Sequence, residues 1–260
     1  MFHDTVAVMP LDISEVRRRL GDAYNIIYLP ETTSTNDVAM QLAREETPAG
    51  TLVCTDFQTA GRGRRGAPWV APAESSMLCS LLMRPAEALP MSHLAILTGV
   101  GVANGLKRLE IPVRIKWPND LMVRDRKVGG ILVETIPGAV VIGVGINCTV
   151  PEAAFPAELH KRAGSLQHLT GKVIRCEEVL VAVVEELQSA LARVKAGGII
   201  KVLYEWNMFN WLKHRKIRVS GPLGQVDGDG LFLDGRKLVF HVFKDAGIVT
   251  MPLSSTVEVR

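Results

Sequence analysis

The pattern of apolar and polar positions divides the first half of the chain into short apolar runs and amphipathic stretches. LDISEVRRRL, residues 11–20, predicts a short amphipathic helix, and the YNIIYL run that follows predicts a strand. In TTSTNDVAMQLAREE, serine and threonine precede apolar residues at helical spacing, which indicates a capped helix. TLVCTDF and MLCSLLM are short, apolar and bounded by turn residues, so both predict buried strands.

The middle of the chain predicts a long helix and then a group of closely spaced strands. The helix runs from about Met91 to Leu109, and the strands are VRIKW, LMVRDRKVGGILVETI and AVVIGVGINC. Turns of hairpin length separate them, whereas parallel neighbours would need a crossover of about a dozen residues. The sheet is therefore predicted to be antiparallel or mixed. Residues 176–196 give the clearest helix, apolar on one face, and a second helical stretch follows to about Trp211.

After Trp211 the pattern changes to short strands broken by glycine turns, in KIRVSGPLGQVDGDGLFLDGRKLVFHVFKDAGIVTMPL. Such a series is typical of a small all-β barrel. The predicted fold class is α+β. A mixed β-sheet domain with helices packed on it, residues 1–212, is followed by a small barrel, residues 213–260.

Composition and charge narrow the function classes. The chain has 260 residues, of which 47% are hydrophobic and 22% charged, as in ordinary globular proteins. A net charge of +3 is too weak for an extended nucleic-acid surface. The start of the chain resembles no secretory signal, and the longest weakly polar stretch, Leu94 to Leu106, is too short to span a membrane. The four cysteines lie far apart without nearby histidines, which predicts neither zinc nor disulfides. We therefore expect a cytoplasmic protein.

The hexamer GRGRRG, residues 61–66, is the strongest local signal for chemistry. It fits the dinucleotide pattern G-x-G-x-x-G, but Gly66 is followed by APWVAP, whose two prolines oppose the helix that this pattern requires. One loop with one tryptophan is weak support for a nucleic-acid site. Glycines expose backbone N–H groups and arginines bind carboxylate or phosphate oxygens, so compact anion binding fits better. The alternative is a solvated, flexible arginine loop.

Six motifs occur in a recognisable order: TTSTND, QTAGRGRRG followed by PW, SLLMRP, KWPNDLMV, DRKVGGILVE and GVGIN. Together they resemble the bacterial biotin–protein ligases, densely over residues 30–148. The resemblance implies a mixed sheet with helices on one side, followed by an SH3-like barrel. It also implies the monofunctional type, because only about 30 residues precede TTSTN, too few for an N-terminal helix-turn-helix domain. Sequence-specific DNA binding is therefore not expected.

The reaction that the resemblance implies has two halves. The carboxylate of biotin attacks the α-phosphorus of ATP to give biotinyl-5′-AMP and pyrophosphate, and a lysine of the acceptor then takes the biotinyl group. The implied acceptor is a biotin carboxyl carrier protein, and Mg²⁺ is the implied metal. No enzyme nucleophile is needed, and the chain has neither G-x-S-x-G nor a credible cysteine–histidine pair.

By the same resemblance, Arg64 and Lys127 are the expected catalytic residues. Arg64 would retain the adenylate, and Lys127 would lie between the biotin carboxylate and the α-phosphate. Spacing alone would favour a solvated turn lysine for Lys127. Where many relatives continue the hexamer with another basic residue, this chain has Ala67, which puts in question how firmly the loop holds the nucleotide.

The remaining site residues fall into two sets. Those expected to bind biotin are Ser34, Thr35, Asn36, Gln58, Gly61, Arg62, Gly63, Arg64, Lys127 and Gly130. Those expected to bind ATP are Arg62, Arg64, Arg65, Trp69, Lys116, Asn119 and Asn147. Asn147 is also the one suggested metal ligand. For Ser34, Thr35 and Asn36 the alternative is a helix N-cap, and for Trp69 it is a place in the core.

Two other functions remain open from the sequence. One is a lipoate or octanoate ligase or transferase of the same superfamily, although its apolar substrate would leave Ser34, Asn36 and Gln58 without a polar partner. The other is a non-catalytic biotin-binding module, which would not need Arg64 and Lys127 as a phosphate clamp. A homodimer formed through a sheet edge is possible, and the barrel could cap the ATP site or contact the acceptor.

Overall fold

The computed structural model of the chain describes residues 9–84, 91–222, 224–237, 239–244 and 247–260. The N-terminal stretch examined for a secretory signal, and part of the Asp-Ala-Gly turn of the C-terminal region, lie outside the described residues. Among the described residues, no helix is long and apolar enough to cross a membrane.

A seven-stranded sheet forms the centre of the molecule, with the spatial order β1-β2-β3-β7-β6-β5-β4. β1 and β2 are parallel, and every other neighbouring pair is antiparallel, so the predicted mixed sheet is confirmed. The strands are β1 (Asn25–Thr32), β2 (Thr51–Gln58), β3 (Ser76–Met83), β4 (Val113–Lys116), β5 (Asp120–Val123), β6 (Arg126–Ile136) and β7 (Ala139–Asn147).

The helices cover both faces of this sheet, so the expectation of helices on one side is wrong. They are α1 (Ile13–Leu20), α2 (Thr35–Arg44), α3 (Met91–Arg108), α4 (Leu166–Thr170), α5 (Cys176–Arg193) and α6 (Ile199–Phe209). α2 packs on β2, β3 and β7 from one side, and α3 and α5 lie on the other. Along β2, Leu52 and Cys54 face the α3–α5 layer while Val53 faces α2. The central strands are therefore apolar on both faces, as strands between two layers must be.

α3 and α5 approach each other closely because α3 has glycines at the contact. A Cβ atom at Gly101 would lie 2.8 Å from the Cα atom of Leu187, and one at Gly105 would lie 2.7 Å from the carbonyl oxygen of Ala182. Neither distance is tolerable for a side chain. The glycines of TGVGVANG thus allow backbone-to-backbone packing, and this helix pair supports the back of the sheet.

The C-terminal region contains two three-stranded antiparallel sheets, β10-β11-β12 and β13-β8-β9. This arrangement agrees with the predicted SH3-like unit. Its strands are β8 (Ile217–Gly221), β9 (Gly224–Gly228), β10 (Leu231–Asp234), β11 (Val239–Lys244), β12 (Gly247–Pro252) and β13 (Thr256–Val259). The predicted boundary after residue 212 falls between α6 and β8, and the division into two domains stays a prediction.

Aromatic contacts join the C-terminal strands to the central sheet. The ring of Trp117 packs edge-on against Phe240 at 4.8 Å and against Trp206 at 6.3 Å between centroids. Its indole N–H donates to the carbonyl oxygen of Ser255 at 3.0 Å. The Trp-Pro-Asn-Asp segment is thereby fixed on both sides, which matters because Asn119 and Asp120 follow directly.

The four cysteines form no disulfide. Cys54, Cys79 and Cys148 are buried, and Cys176 is partly exposed at the start of α5. The expectation of small buried thiols thus holds for three of the four cysteines.

Candidate active site

The 61–66 loop, α2 and the sheet enclose a cavity of about 200 Å³, which we call the first cavity. Glycines of β6 and β7 lie beneath it, and the start of α2 forms one wall. The predicted residues that line it are Ser34, Thr35, Asn36, Gln58, Arg62, Gly63, Arg64, Trp69, Asn119, Lys127 and Gly130. The structure thus brings together most residues of both predicted sets.

A chain of hydrogen bonds orders the wall at the start of α2. The side-chain oxygen of Gln58 accepts the backbone N–H of Thr35 at 2.8 Å. The Thr35 and Ser80 hydroxyls lie 2.7 Å apart, and the Ser80 hydroxyl is 2.5 Å from the Asn36 side-chain oxygen. Ser34 takes the N-cap position of α2 without a capping bond from its side chain. Ser34 thus occupies the N-cap position that the alternative predicted, but its side chain does not cap the helix.

Asn36 also contacts the far end of β6. Its amide N–H donates to the Glu134 carboxylate at 2.7 Å, and the peptide oxygen of Leu132 lies 3.4 Å away. Asn36 is only 4% exposed, so its amide has few water molecules to bond with and depends on these partners. The carboxylate therefore fixes which end of the Asn36 amide faces Ser80.

The floor of the first cavity needs glycine on β7. A Cβ atom at Gly143 would collide with the Asn36 amide, and one at Gly145 would lie 3.0 Å from the Trp69 ring. Trp69 is held by its backbone N–H, which donates to the Gly61 carbonyl at 2.9 Å. The sheet thus makes room for the two side chains that shape the cavity.

Lys127 owes its direction to a β-bulge between β5 and β6. Leu121 pairs with Gly129 and Met122 with Lys127, so Val128 is an extra residue without a partner in β5. The Lys127 side chain extends to Asp120, with Nζ and Oδ1 2.5 Å apart. Its backbone N–H donates to the Arg162 carbonyl at 2.7 Å. Both the backbone and the ammonium group are therefore positioned.

The three arginines of the loop differ in their surroundings. Arg62 forms ion pairs with Asp37 and Glu134, and its hydrogen bond to Asp37 is the main cause of its raised pKa. Arg64 is exposed and forms no ion pair with any described residue. Its pKa is lowered, first by partial burial and then by the neighbouring positive charge of Arg65. Arg64 and Arg65 are thus the loop arginines available to an anionic ligand.

The backbone of the loop is compact. The N–H of Gly63 donates to the Ala67 carbonyl at 2.6 Å, and the N–H of Ala67 donates to the Arg64 carbonyl at 3.2 Å. Arg65 has φ of 57°, in the left-handed region that a non-glycine residue adopts only at a cost. The loop therefore presents Arg64 and Arg65 at a tight turn, and Ala67 closes that turn with its backbone.

A second cavity, of about 460 Å³, adjoins the first. Trp69, Asp120 and Lys127 line both cavities, so they form the boundary between them. The second cavity also contains Lys116 and Asn147, two of the residues predicted to bind ATP. Its other side chains include Phe155, Leu159, Arg162 and Trp211. The carbon-rich lining with a few cations suits a flat, partly apolar group that carries phosphate.

A third cavity, of about 510 Å³, lies between the loop and the C-terminal strands. Arg64 and Asn119 line both this cavity and the first, and Arg65 lines only the third. The Asn119 amide already donates to the Ile131 carbonyl at 2.8 Å. The residues predicted for ATP are therefore divided between two cavities that flank the first.

Four predicted residues do not line the first cavity. Gly61 is buried at the start of the loop, and Arg65 lines the third cavity. Lys116 lies 5.4 Å above the ring of Trp211, in the second cavity. Asn147 is buried there, with its amide N–H donating to the Gly164 carbonyl at 3.1 Å. Its side-chain oxygen faces the Ser76 hydroxyl at 3.4 Å. The amide N–H of Asn147 is therefore in use, and its suggested role as a metal ligand stays a prediction.

Sequence reasoning missed Asp120, Glu134 and Ser80. The first two lie inside the quoted motifs KWPNDLMV and GGILVE, which was the signal that could have marked them. Ser80 lies on the face of β3 that packs against α2, and a polar residue in the middle of the apolar run SMLCSLLM was the signal that could have indicated it. Among the described residues there is no group of three or more histidine, cysteine or acidic side chains able to hold a metal.

Comparison with known proteins agrees with this geometry. The profile of the Biotin/lipoate A/B protein ligase family matches residues 28–150. The biotin–[acetyl-CoA-carboxylase] ligase of Paracoccus denitrificans is 31% identical over 218 residues, 78% of this chain and 88% of that protein. The bifunctional ligase/repressor BirA of Bacillus spizizenii is 37% identical over 157 residues, 58% of this chain and 48% of that relative. This chain thus spans about half of the length of that BirA protein.

A solved structure matches over nearly the whole fold. The biotin protein ligase from Aquifex aeolicus, in complex with biotin and ATP, superimposes with a TM-score of 0.79 at 27% sequence identity. The match covers 91% of this chain and 99% of that one. From the motifs, the fold and these relatives together, the chain belongs to the biotin/lipoate A/B protein ligase family.

Proposed function

We propose that the protein is an ATP-dependent biotin–protein ligase. In the first half-reaction, a carboxylate oxygen of biotin attacks the α-phosphorus of ATP, and the bond to the departing pyrophosphate breaks. In the second, the amine of an acceptor lysine attacks the acyl carbon of biotinyl-5′-AMP, AMP leaves, and the nitrogen loses a proton. The Paracoccus and Aquifex proteins, whose names give this activity and these ligands, support the proposal.

The observation that carries the proposal is the position of Lys127 at the boundary of the first and second cavities. An acid held in the first cavity and a nucleotide in the second would meet beside its ammonium group. Two unit anions about 4 Å apart repel each other by about 4 kcal/mol at an effective dielectric constant of 20. A fixed cation at the meeting point opposes this repulsion and stabilises the charge that develops in the transition state. Asp120 holds that cation in place.

The polar wall of the first cavity supports biotin over an apolar acid. The ureido ring of biotin has one carbonyl acceptor and two N–H donors. Ser34, Thr35 and Asn36 offer hydroxyl and amide groups on one wall, and Gln58 adds another amide. A lipoyl or octanoyl tail would offer no hydrogen bond to the groups of this wall that are not already paired within it, at a cost of about 1–3 kcal/mol for each group left unsatisfied.

The loop supports retention of the intermediate. Arg64 lines the first and third cavities and has no carboxylate partner among the described residues. A bound adenylate would supply the anion that this guanidinium lacks. Closure of the glycine-containing loop would also keep water from the mixed anhydride. The roles of Arg65, Trp69, Lys116 and Asn119 around the nucleotide remain part of the same proposal.

The proposal includes Mg²⁺, which would neutralise part of the charge on the triphosphate and on pyrophosphate. With Asn147 already hydrogen-bonded, the phosphates themselves are the main ligands expected for this ion. The proposed acceptor is a biotin carboxyl carrier protein of acetyl-CoA carboxylase, and the proposed compartment is the cytoplasm. Absence of DNA binding and a possible homodimer also stay predictions.

A pyrophosphate-release assay tests the first half-reaction directly. The purified protein is mixed with ATP, Mg²⁺ and either biotin or lipoate, without an acceptor. We expect release with biotin and none above background with lipoate. Release with lipoate but not with biotin would favour a lipoate ligase of the same family. Calorimetric biotin binding without pyrophosphate release would indicate a binding module instead.

The second half-reaction needs an acceptor. Radiolabelled biotin, ATP and a purified biotin carboxyl carrier domain are combined, and label on that domain is measured after denaturing electrophoresis. A matched carrier with its acceptor lysine replaced by arginine controls for labelling at other lysines. Equal label on both carriers would contradict a specific transfer.

A further inference from the structure

We propose that Glu134 is a positioning residue that couples occupancy of the first cavity to closure of the arginine loop. The inference rests on the proposed function, because it takes biotin as the occupant. Glu134 does not line the cavity itself, but both of its side-chain partners do. It therefore connects one residue of the ligand-facing wall with one residue of the loop.

The first step is the geometry around the carboxylate. One oxygen of Glu134 accepts the Asn36 amide N–H at 2.7 Å and lies 3.3 Å from the Arg62 guanidinium. The other oxygen lies 3.4 Å from the same guanidinium nitrogen. A carboxylate has two oxygens and about four lone-pair positions, so it can serve both donors at once. Glu134 is thus the only described side chain that bonds both Asn36 and Arg62.

The second step is the role of Arg62. Asp37 on α2 and Glu134 on β6 together supply two negative charges to this one guanidinium. A guanidinium paired in this way contributes little free positive charge to a carboxylate or phosphate ligand. Its position at the base of the loop, two residues before Arg64, instead makes it an anchor. Opening of the loop would break both of its ion pairs.

The third step is the effect of a ligand. Arg62 and Asn36 both line the first cavity, so a bound biotin would exclude water from both. Charged pairs attract more strongly when the surrounding dielectric constant falls, and an unpaired buried charge is costly. An occupied cavity therefore favours the state in which Glu134 holds Asn36 and Arg62 together. Biotin binding thus favours loop closure because it strengthens the interactions that Glu134 makes with Asn36 and Arg62.

The test compares two variants that each remove one negative charge next to Arg62. In Glu134→Gln the charge that attracts Arg62 is lost, and the new NH2 group has to face either the Arg62 guanidinium or the Asn36 amide, donor against donor, so the connection is broken. In Asp37→Asn the anchor is weakened while the Asn36–Glu134 bond is retained. The readout is the rate of trypsin cleavage after Arg64 and Arg65, followed by mass spectrometry, without and with saturating biotin.

For the wild-type protein we expect biotin to slow this cleavage by about 5- to 150-fold, the usual range of coupling between two sites. Asp37→Asn should raise the cleavage rate in both states and keep a biotin effect of at least about 5-fold. Glu134→Gln should reduce the biotin effect to less than about 2-fold. By reciprocity, its biotin affinity measured by calorimetry should fall by about the factor that the protection loses.

The failures of the two proposals can be told apart. A wild-type protein that binds no biotin in calorimetry contradicts the proposed function. A wild-type protein that binds biotin without protection of the loop overturns the coupling. Full protection in Glu134→Gln, or loss of protection in both variants alike, overturns the specific role of Glu134. Thermal unfolding of each variant identifies misfolding, and a misfolded Glu134→Gln is replaced by Glu134→Asp, which keeps the charge but shortens its reach.

Discussion

The amide of Asn36 occupies the space that any side chain at residue 143 would need. Asn36 comes from the start of α2 and Gly143 from the middle of β7, so the first cavity depends on one backbone position far away in the sequence. The relationship assigns a steric role to the first glycine of the GVGIN motif, which was not among the predicted site residues.

Gly143→Ala tests this relationship. The new methyl group should displace the Asn36 amide from Ser80 and Glu134, leaving buried polar atoms unsatisfied at a cost of about 1–3 kcal/mol. We expect a lower free energy of unfolding in urea and at least about 10-fold weaker biotin binding in calorimetry. Gly130→Ala is the control for stability, since its Cβ would have no neighbour closer than 3.7 Å. Unchanged stability and affinity in Gly143→Ala would contradict the steric argument.

Lys127→Ala should slow formation of biotinyl-5′-AMP by about 10²- to 10³-fold, the usual loss when one charge-stabilising donor is removed. Single-turnover release of pyrophosphate measures this step apart from transfer to the acceptor. Lys161→Ala, which removes an exposed lysine from the neighbouring segment, is the matched control and should behave as the wild type. An unaltered rate in Lys127→Ala would refute the proposed role.

Arg64→Gly should release the activated intermediate into solution. Without this guanidinium the adenylate loses its cationic partner, and free biotinyl-5′-AMP reacts with exposed lysines of bystander proteins. Biotin on added serum albumin, detected with streptavidin, is the readout, and it should increase by about 10-fold or more for the loss of a charge-assisted contact. Arg236→Gly, in an exposed turn, is the control. Labelling at the wild-type level would show that Arg64 does not retain the intermediate.

The thiols should differ sharply in reactivity. Burial is the main cause that raises the pKa of Cys54 to about 12 and the pKa values of Cys79 and Cys148 as well. Because thiolates are the reactive form, these three should not react with an aromatic disulfide reagent at pH 8. We expect only the partly exposed Cys176 to react in the native protein, and all four thiols in guanidinium chloride.

Cys176→Ser is the control for this measurement and should abolish the native reaction. Because the Cys148 thiol is hydrogen-bonded to Cys176, it can attack the mixed disulfide formed there, so the modified cysteines are identified by mass spectrometry. Rapid modification of Cys54 or Cys79 in the native protein would show that the sheet opens far more readily than its packing indicates.

Much of the fold could be predicted because the local signals were strong. The apolar runs TLVCTDF and MLCSLLM became β2 and β3, and the long helix at 91–109 became α3. The helix layer on the second face could not be predicted in the same way. A strand that is apolar on both faces has no alternation to show that α2 covers one side with Ala39 and Ala43.

The sequence predicted which types of residue form the site, but not which of their side chains pair with each other. The motifs marked Arg62 as a ligand for an anion, whereas Asp37 and Glu134, 25 and 72 residues away, already neutralise it. Lys116 and Asn147 were placed with the nucleotide residues by motif, and only the folded sheet separates their cavity from that of Arg65. Such separations depend on long-range register, which no local pattern contains.

The bulge at Val128 has a consequence for how this sequence can evolve. Side chains of a strand alternate between its faces, so a regular pairing of Val128 with Met122 would turn Lys127 to the core face that Gly129 occupies, in the hydrophobic layer under α3. A change that removed the bulge but kept Val128 would leave the composition of the strand almost intact while burying an ammonium group. The irregular register between Leu121 and Met122 is therefore under as strict a constraint as the identity of the lysine itself.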